Sequence, residues 1–142
     1  MKIFYIKQSL FESNYRCEMV RKRLLKHIIQ EKPQVLIISG CKDKDSETYV
    51  SFLETINEMN IVVLDNNGKY KVNDITIFLN DTHLLVNSKL ITPMEGCVSV
   101  LNGDPFALSY IVLDIFADES FANYHGDLDE LQWLELQKLL SK

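Results

Sequence analysis

Residues 35–39, Val-Leu-Ile-Ile-Ser, form an unbroken apolar run that ends in Gly40 and a charged loop, Cys41 to Asp45. A strand with one face in water alternates apolar and polar residues. One that is apolar at every position must be covered on both faces, as in the parallel sheets of α/β folds. Ile61-Val-Val-Leu64 reads in the same way, and Ser109-Tyr-Ile-Val-Leu-Asp-Ile-Phe116 is the strongest strand of the later chain. Such strands require layers on both sides of a sheet, and 142 residues, 46% of them hydrophobic, suffice to build those layers in one domain, 1–142.

The segments between these strands carry helical spacing. From Tyr15 to about Gln30, Cys17, Val20, Leu24 and Ile28 recur on one face while Arg16, Glu18, Lys22 and Lys26 occupy others. Pro33 ends that helix. A second helix, capped by Asp45 or Ser46, runs to about Met59 with Tyr49, Phe52, Leu53 and Ile56 as its buried stripe. With residues 2–7, KIFYIK, as the first strand, the order is βαβαβ, which calls for a parallel sheet with right-handed crossovers. DNNGKY, 65–70, reads as a turn. DITIFLN, HLLVNSKLI and CVSVL follow as short β-like segments, and ADESFANYHG, 117–126, as a polar loop. Asp127 and Glu130 suit the N-cap and third position of a final helix to about Leu140. Its Leu128, Leu131, Trp133, Leu134, Leu136, Leu139 and Leu140 point in most directions around the axis. Such a helix is either sandwiched inside the monomer or an interface with another chain.

Charge and cysteine content narrow the function classes. A net charge of −5 and a single short basic run, Arg21-Lys22-Arg23, argue against nucleic acid as the main partner. No apolar stretch is long enough to span a bilayer, and MKIFYIKQ lacks the apolar core of a signal peptide. Three cysteines, Cys17, Cys41 and Cys97, without a C-x-x-C spacing, point to reduced thiols and a cytoplasmic setting.

MKIFYIKQSLF, KPQVLIISGCKDKDSETYVSFLETI, NIVVLDNNGKY, YIVLDIF and HGDLDELQWLELQKLL, taken in order, resemble calcineurin-like metallophosphoesterases, and most nearly the class III cyclic-nucleotide phosphodiesterases. The resemblance implies a layered α/β/α fold, with this chain shorter than the family domain. In that family two divalent metals roughly 3.5–4 Å apart activate a water for attack on phosphate. The resemblance places the metal ligands at the ends of the strands. Here those positions read Gln8 for the first Asp, Leu10 for the His, and Cys41 for the bridging Asp. In the third motif Asp65 stands for Gly, Asn66 is kept, Asn67 replaces the catalytic His and Gly68 the final Asp. A neutral amide, an apolar side chain and a thiol do not hold two hard cations. NDTH, 80–83, has a partial likeness to the later histidine motif. In a second alignment SYIVLDI closes a compact branch of the superfamily; NDTH then fits better and the Trp133 helix loses its counterpart.

The expectation is therefore a pseudoenzyme without metal or cofactor, whose vestigial rim is Gln8, Leu10, Cys41, Asn67 and Gly68. A protein partner or a second copy of the chain is its expected ligand, with Trp133, Leu136 and Leu140 as interface candidates. The alternatives are a phosphate or nucleotide sensor using Cys41, Asp65, Asn66, Asn67 and His83, and a residual phosphodiesterase. The latter is either a one-metal site around Asp65, Asn66, Asp81 and His83 or thiol chemistry at Cys41, whose neighbours Lys42 and Lys44 favour a thiolate. His27 reads as a core histidine, His125 as structural, Cys17 and Cys97 as packing residues, and Asp114 as structural.

Overall fold

The computed structural model describes residues 1–6, 10–39, 46–81, 83–91, 110–115 and 121–125, the last by backbone alone, together with residues 131, 132, 134, 135 and 138. Nine strands and two complete helices follow one another in these segments. They are β1 Lys2–Ile6, α1 Tyr15–Glu31, β2 Val35–Ile38, α2 Glu47–Glu58, β3 Val62–Leu64, β4 Gly68–Val72, β5 Ile75–Leu79, β6 Leu84–Val86, β7 Lys89–Ile91, β8 Tyr110–Ile115 and β9 Phe121–His125. The five described residues near the C-terminus are helical.

The α/β class and the βαβαβ half are as the sequence implies. β1, β2 and β3 lie parallel, with Ile3 beside Val35 and Val35 beside Val62. β8 joins the other side of β1 in antiparallel register, Phe4 against Val112, and β9 pairs with β8 to give the order β3-β2-β1-β8-β9. The strand order advances the same way twice, from β1 to β2 to β3. Crossovers of one hand then put both helices on the same face of the sheet. Phe4, Ile6, Leu36, Ile38 and Val112 on that face pack with Val20, Leu24 and Ile28 of α1 and Tyr49, Phe52 and Ile56 of α2.

The opposite face departs from the α/β/α expectation. Among the described residues it is covered by a second sheet, the antiparallel meander β4-β5-β6-β7. Ile3, Tyr5, Val35, Ile37, Ile111 and Leu113 meet Ile75, Ile77, Leu79, Leu84, Val86 and Ile91 there. The reason is alternation: the inward positions of β5 and β6 are apolar, so this sheet supplies a flat cover. The layers run helix, mixed sheet, antiparallel sheet.

Local chemistry sets the boundaries. The Asn14 side chain accepts from the Cys17 amide at 2.8 Å and caps α1, and the Ser46 hydroxyl accepts from the Tyr49 amide at 3.2 Å and caps α2. α1 closes at Lys32 in the left-handed region, one residue before Pro33. Asn73-Asp74 and Asn87-Ser88 all have positive φ, so the β4–β5 and β6–β7 hairpins turn on residue pairs of the type I′ kind. β4 occupies the second half of what reads as a turn in the sequence, because Lys69-Tyr70-Lys71-Val72 alternates and pairs with β5. The polar loop expected at 117–126 contains β9, an edge strand that pairs with β8.

The charges of α1 are largely used within the fold. Arg21 donates to the Leu10 carbonyl and ties down the segment between β1 and α1. Lys22 lies 3.4 Å from Glu18 one turn away. Lys2 links β1 to Glu31 at 2.6 Å and faces Asp114 across the strands. His27, partly buried, places Nδ1 2.5 Å from the Tyr110 hydroxyl and so joins α1 to β8, as expected for a core histidine. Cys17 is buried on the inner side of α1. Among the described residues no helix is long and apolar enough to cross a membrane.

Two positions on α1 test this packing. Leu24 is fully buried, whereas Ile29 is 59% exposed. Leu24→Ala is expected to lower the unfolding free energy in a urea titration by about 2–4 kcal/mol, through lost transfer energy and a residual cavity. Ile29→Ala should stay within about 0.5 kcal/mol of the unsubstituted chain.

Candidate functional site

The carboxyl ends of β1, β2 and β3 open on one rim of the sheet, the position at which open α/β sheets place ligands. Gln8 and Cys41 lie outside the described residues, as do Cys97, Trp133, Leu136 and Leu140. The described part of the rim is formed by Leu10, Ser39, Asp65, Asn66, Asn67 and Gly68, with Asn80, Asp81 and His83 reaching it from the end of β5.

Leu10 is fully buried and belongs to the helix-side core beside Phe11, Tyr49 and Phe52. Phe11 stacks edge-on against Tyr49 at 4.8 Å and against Phe52 at 5.3 Å. An apolar residue at this place thus has a packing function. The aromatic cluster also fixes Tyr49, whose hydroxyl donates to Oδ2 of Asp65. A buried tyrosine takes a partner for its hydroxyl. That signal was available in the sequence, where Tyr49 reads only as part of an apolar stripe. The partner itself comes from the next strand end and is not visible in sequence.

Asp65 also accepts from Nδ2 of Asn66, at 3.3 Å. Asn67 turns the other way and donates to Oδ1 of Asp81, at 2.8 Å, linking the end of the parallel sheet to the meander. The Tyr70 hydroxyl donates to the Asn66 carbonyl. Gly68 has φ of 155°, a conformation that side-chain-bearing residues rarely adopt, and it lets the chain leave Asn67 and enter β4. The glycine at this position therefore has a backbone reason of its own. Asn80 and His83 close a small turn. Asn80 Oδ1 accepts from the His83 amide at 2.9 Å, and Nδ2 of Asn80 lies 3.1 Å from His83 Nε2. Asn80, and not Asp81, is the residue bonded to the imidazole.

The rim brings together Asp65, Asn66, Asn67 and Asp81 through paired contacts, not through convergence on one point. Among the described residues no group of three or more His, Cys, Asp or Glu side chains is close enough to hold a metal ion. Ser39 adds one open polar atom. It is buried at the end of β2, and among the described residues its hydroxyl has no hydrogen-bond partner. A cavity of about 490 Å³ lies at the opposite edge of the sheet, before β2 and β3, and is lined by Ile28, Ile29, Lys32, Met59 and Ile61.

The Tyr49–Asp65 contact is the best-buried polar link of the rim. Tyr49→Phe is expected to lower stability by about 1–2 kcal/mol. In a double-mutant cycle with Asp65→Ala, chemical denaturation should give a coupling of about 1 kcal/mol or more. Additive losses would show that the hydroxyl and the carboxylate act independently.

Comparison with family models gives no match to this chain, and comparisons with curated proteins and with solved structures give none either.

Proposed function

We propose that this chain is a metallophosphoesterase-like pseudoenzyme, a domain that works by binding other protein and not by hydrolysing phosphate esters. The observation that carries this reading is the state of the strand-end side chains. Leu10 faces the core, Asp65 is held by Tyr49 and Asn66, and Asn67 is spent on Asp81. A two-metal centre needs several carboxylate and imidazole donors aimed at the same two ions, with second-shell bonds to orient them. Here the polar groups orient one another. The Gln8, Leu10 and Cys41 replacements in the sequence point the same way.

The sensor alternative is less well supported. The described rim carries two carboxylates, Asp65 and Asp81, and a phosphate brought there meets like charge. A residual one-metal hydrolase requires Asp65, Asp81 and His83 to converge. Their contacts with Tyr49, Asn67 and Asn80 hold them in different bonds.

Metal analysis of the purified chain separates these readings. Elemental analysis after dialysis against manganese should find less than one equivalent of divalent metal per chain. Bis-p-nitrophenyl phosphate with manganese should be hydrolysed at the rate of the buffer control. Two bound metals per chain, or hydrolysis that disappears in Asp81→Ala or His83→Ala, would defeat the proposal.

A further inference from the structure

The fold fixes both halves of the Asn67-Gly68 pair. Asn67 is exposed at the rim, and its Nδ2 donates to Oδ1 of Asp81 at 2.8 Å, joining the loop after β3 to the meander. Gly68 has φ of 155° and starts β4. A side chain in that conformation is strained, so the position holds glycine. The outcome is an asparagine followed directly by a glycine. Asparagine is chemically labile. It is most so in this pair, because no Cβ hinders the glycine nitrogen from reaching the side-chain carbonyl before it.

The first rung of β4 restrains that reaction. Gly68 lies opposite Leu79. The two-residue turn Asn73-Asp74 closes on the pair Val72–Ile75, and hydrogen-bonded and non-bonded pairs alternate from there. Tyr70–Ile77 and Gly68–Leu79 are therefore of the hydrogen-bonded kind, and the Gly68 N–H is directed at the Leu79 carbonyl. A nitrogen engaged in this way does not attack. Yet this is the end rung of its hairpin, on the edge strand of its sheet. Terminal rungs open most easily.

We propose that Asn67 is a site of spontaneous deamidation, and that its conversion irreversibly releases the tie between the two sheets. When the rung opens, the Gly68 nitrogen attacks Cγ of Asn67. A bond forms between them, the Cγ–Nδ2 bond breaks, and ammonia leaves with the proton of the glycine amide. The product is a succinimide ring. Water opens that ring at either carbonyl to give aspartate or isoaspartate. One water is consumed and one ammonia released, and nothing is oxidised or reduced. The donor that engaged Asp81 is gone, and a second carboxylate stands in its place. Like charges so close repel. Closure of the tie is then disfavoured, and the reaction does not run back. The chemistry is the chain's own and does not depend on the interaction reading above.

Peptide mapping by mass spectrometry, on the full chain held in mildly alkaline buffer, tests the site. The exchange of NH2 for OH should appear at Asn67 before Asn73 and Asn87, as a mixture of aspartate and isoaspartate. In urea, Asn67 should convert as fast as Asn102, which also precedes a glycine in the sequence. In the folded chain it should convert roughly tenfold or more slowly, since only the open rung reacts. Asp81→Ala should raise the folded rate several-fold and leave the rate in urea unchanged. Asn67→Asp should lower the urea midpoint of unfolding. Adding Asp81→Asn to it should recover most of that loss, because donor and acceptor are then exchanged across the same bond. An Asn67 that stays intact in the folded chain after Asn73 and Asn87 have converted, or a folded rate equal to that in urea, would overturn the proposal. So would an Asn67→Asp chain as stable as the original, or one that Asp81→Asn does not rescue.

Discussion

The burial of β1 on both faces is the constraint on which the rest of the structure depends. Ile3 and Tyr5 face the meander, Phe4 and Ile6 face the helices, and all four are fully buried. A strand of this kind cannot sit at an edge or on a wet surface. It needs a neighbour on each side and a layer above and below. β2 and β8 supply the neighbours, one parallel and one antiparallel. The parallel neighbour forces a crossover, and the crossover is α1. Repeating the step with α2 and β3 places both helices on one face. The other face is then left to a different element, and the meander fills it. The location of the rim follows from the same geometry, because three parallel strands end at one edge and their loops gather there.

At that rim the balance between packing and chemistry is visible in single residues. Leu10 contributes to the core, as Phe11 does, and the aromatic contacts of Phe11 hold Tyr49 in place. Tyr49 in turn engages Asp65. A carboxylate held by a phenol and an amide is a good structural tie between α2 and the end of β3. The same bonds orient both oxygens of the carboxylate toward neighbouring side chains. Asn67 and Asp81 tie the two sheets together in the same manner. The rim thus behaves as a seam between layers. Ser39 is the exception, a buried hydroxyl without a partner among the described residues, beside the segment that contains Cys41.

Where a residue's fate is decided locally, the sequence is readable. The unbroken apolar run of β2 announces burial on both faces, whereas the equally apolar Ile61–Leu64 ends as the edge strand β3 with Val62 45% exposed. The stripe of Cys17, Val20, Leu24 and Ile28 matches the buried side of α1 residue for residue, and Ser46 is one of two caps foreseen for α2. Where the outcome depends on a distant partner, it is not readable. β4 is hidden behind Asn66-Asn67-Gly68, which reads as a turn until β5 is known to pair with the Lys-Tyr-Lys-Val alternation. β9 is polar enough to pass for a loop and becomes a strand because β8 offers it an edge. The links of Tyr49 to Asp65 and of Asn67 to Asp81 span 16 and 14 residues, beyond the reach of any local pattern. The left-handed residues at the two hairpins are asparagine, aspartate and serine instead of glycine, which weakens the usual signal.

The meander extends the argument that begins with β1. Its inner face completes the core, and on that ground its outer face needs only polar residues. Lys69, Lys71 and Thr76 conform, while Phe78, Leu85 and Leu90 do not. Scattered apolar side chains on a surface require no explanation. Three that stand side by side across hydrogen-bonded strands form a continuous strip, because cross-strand neighbours lie about 5 Å apart.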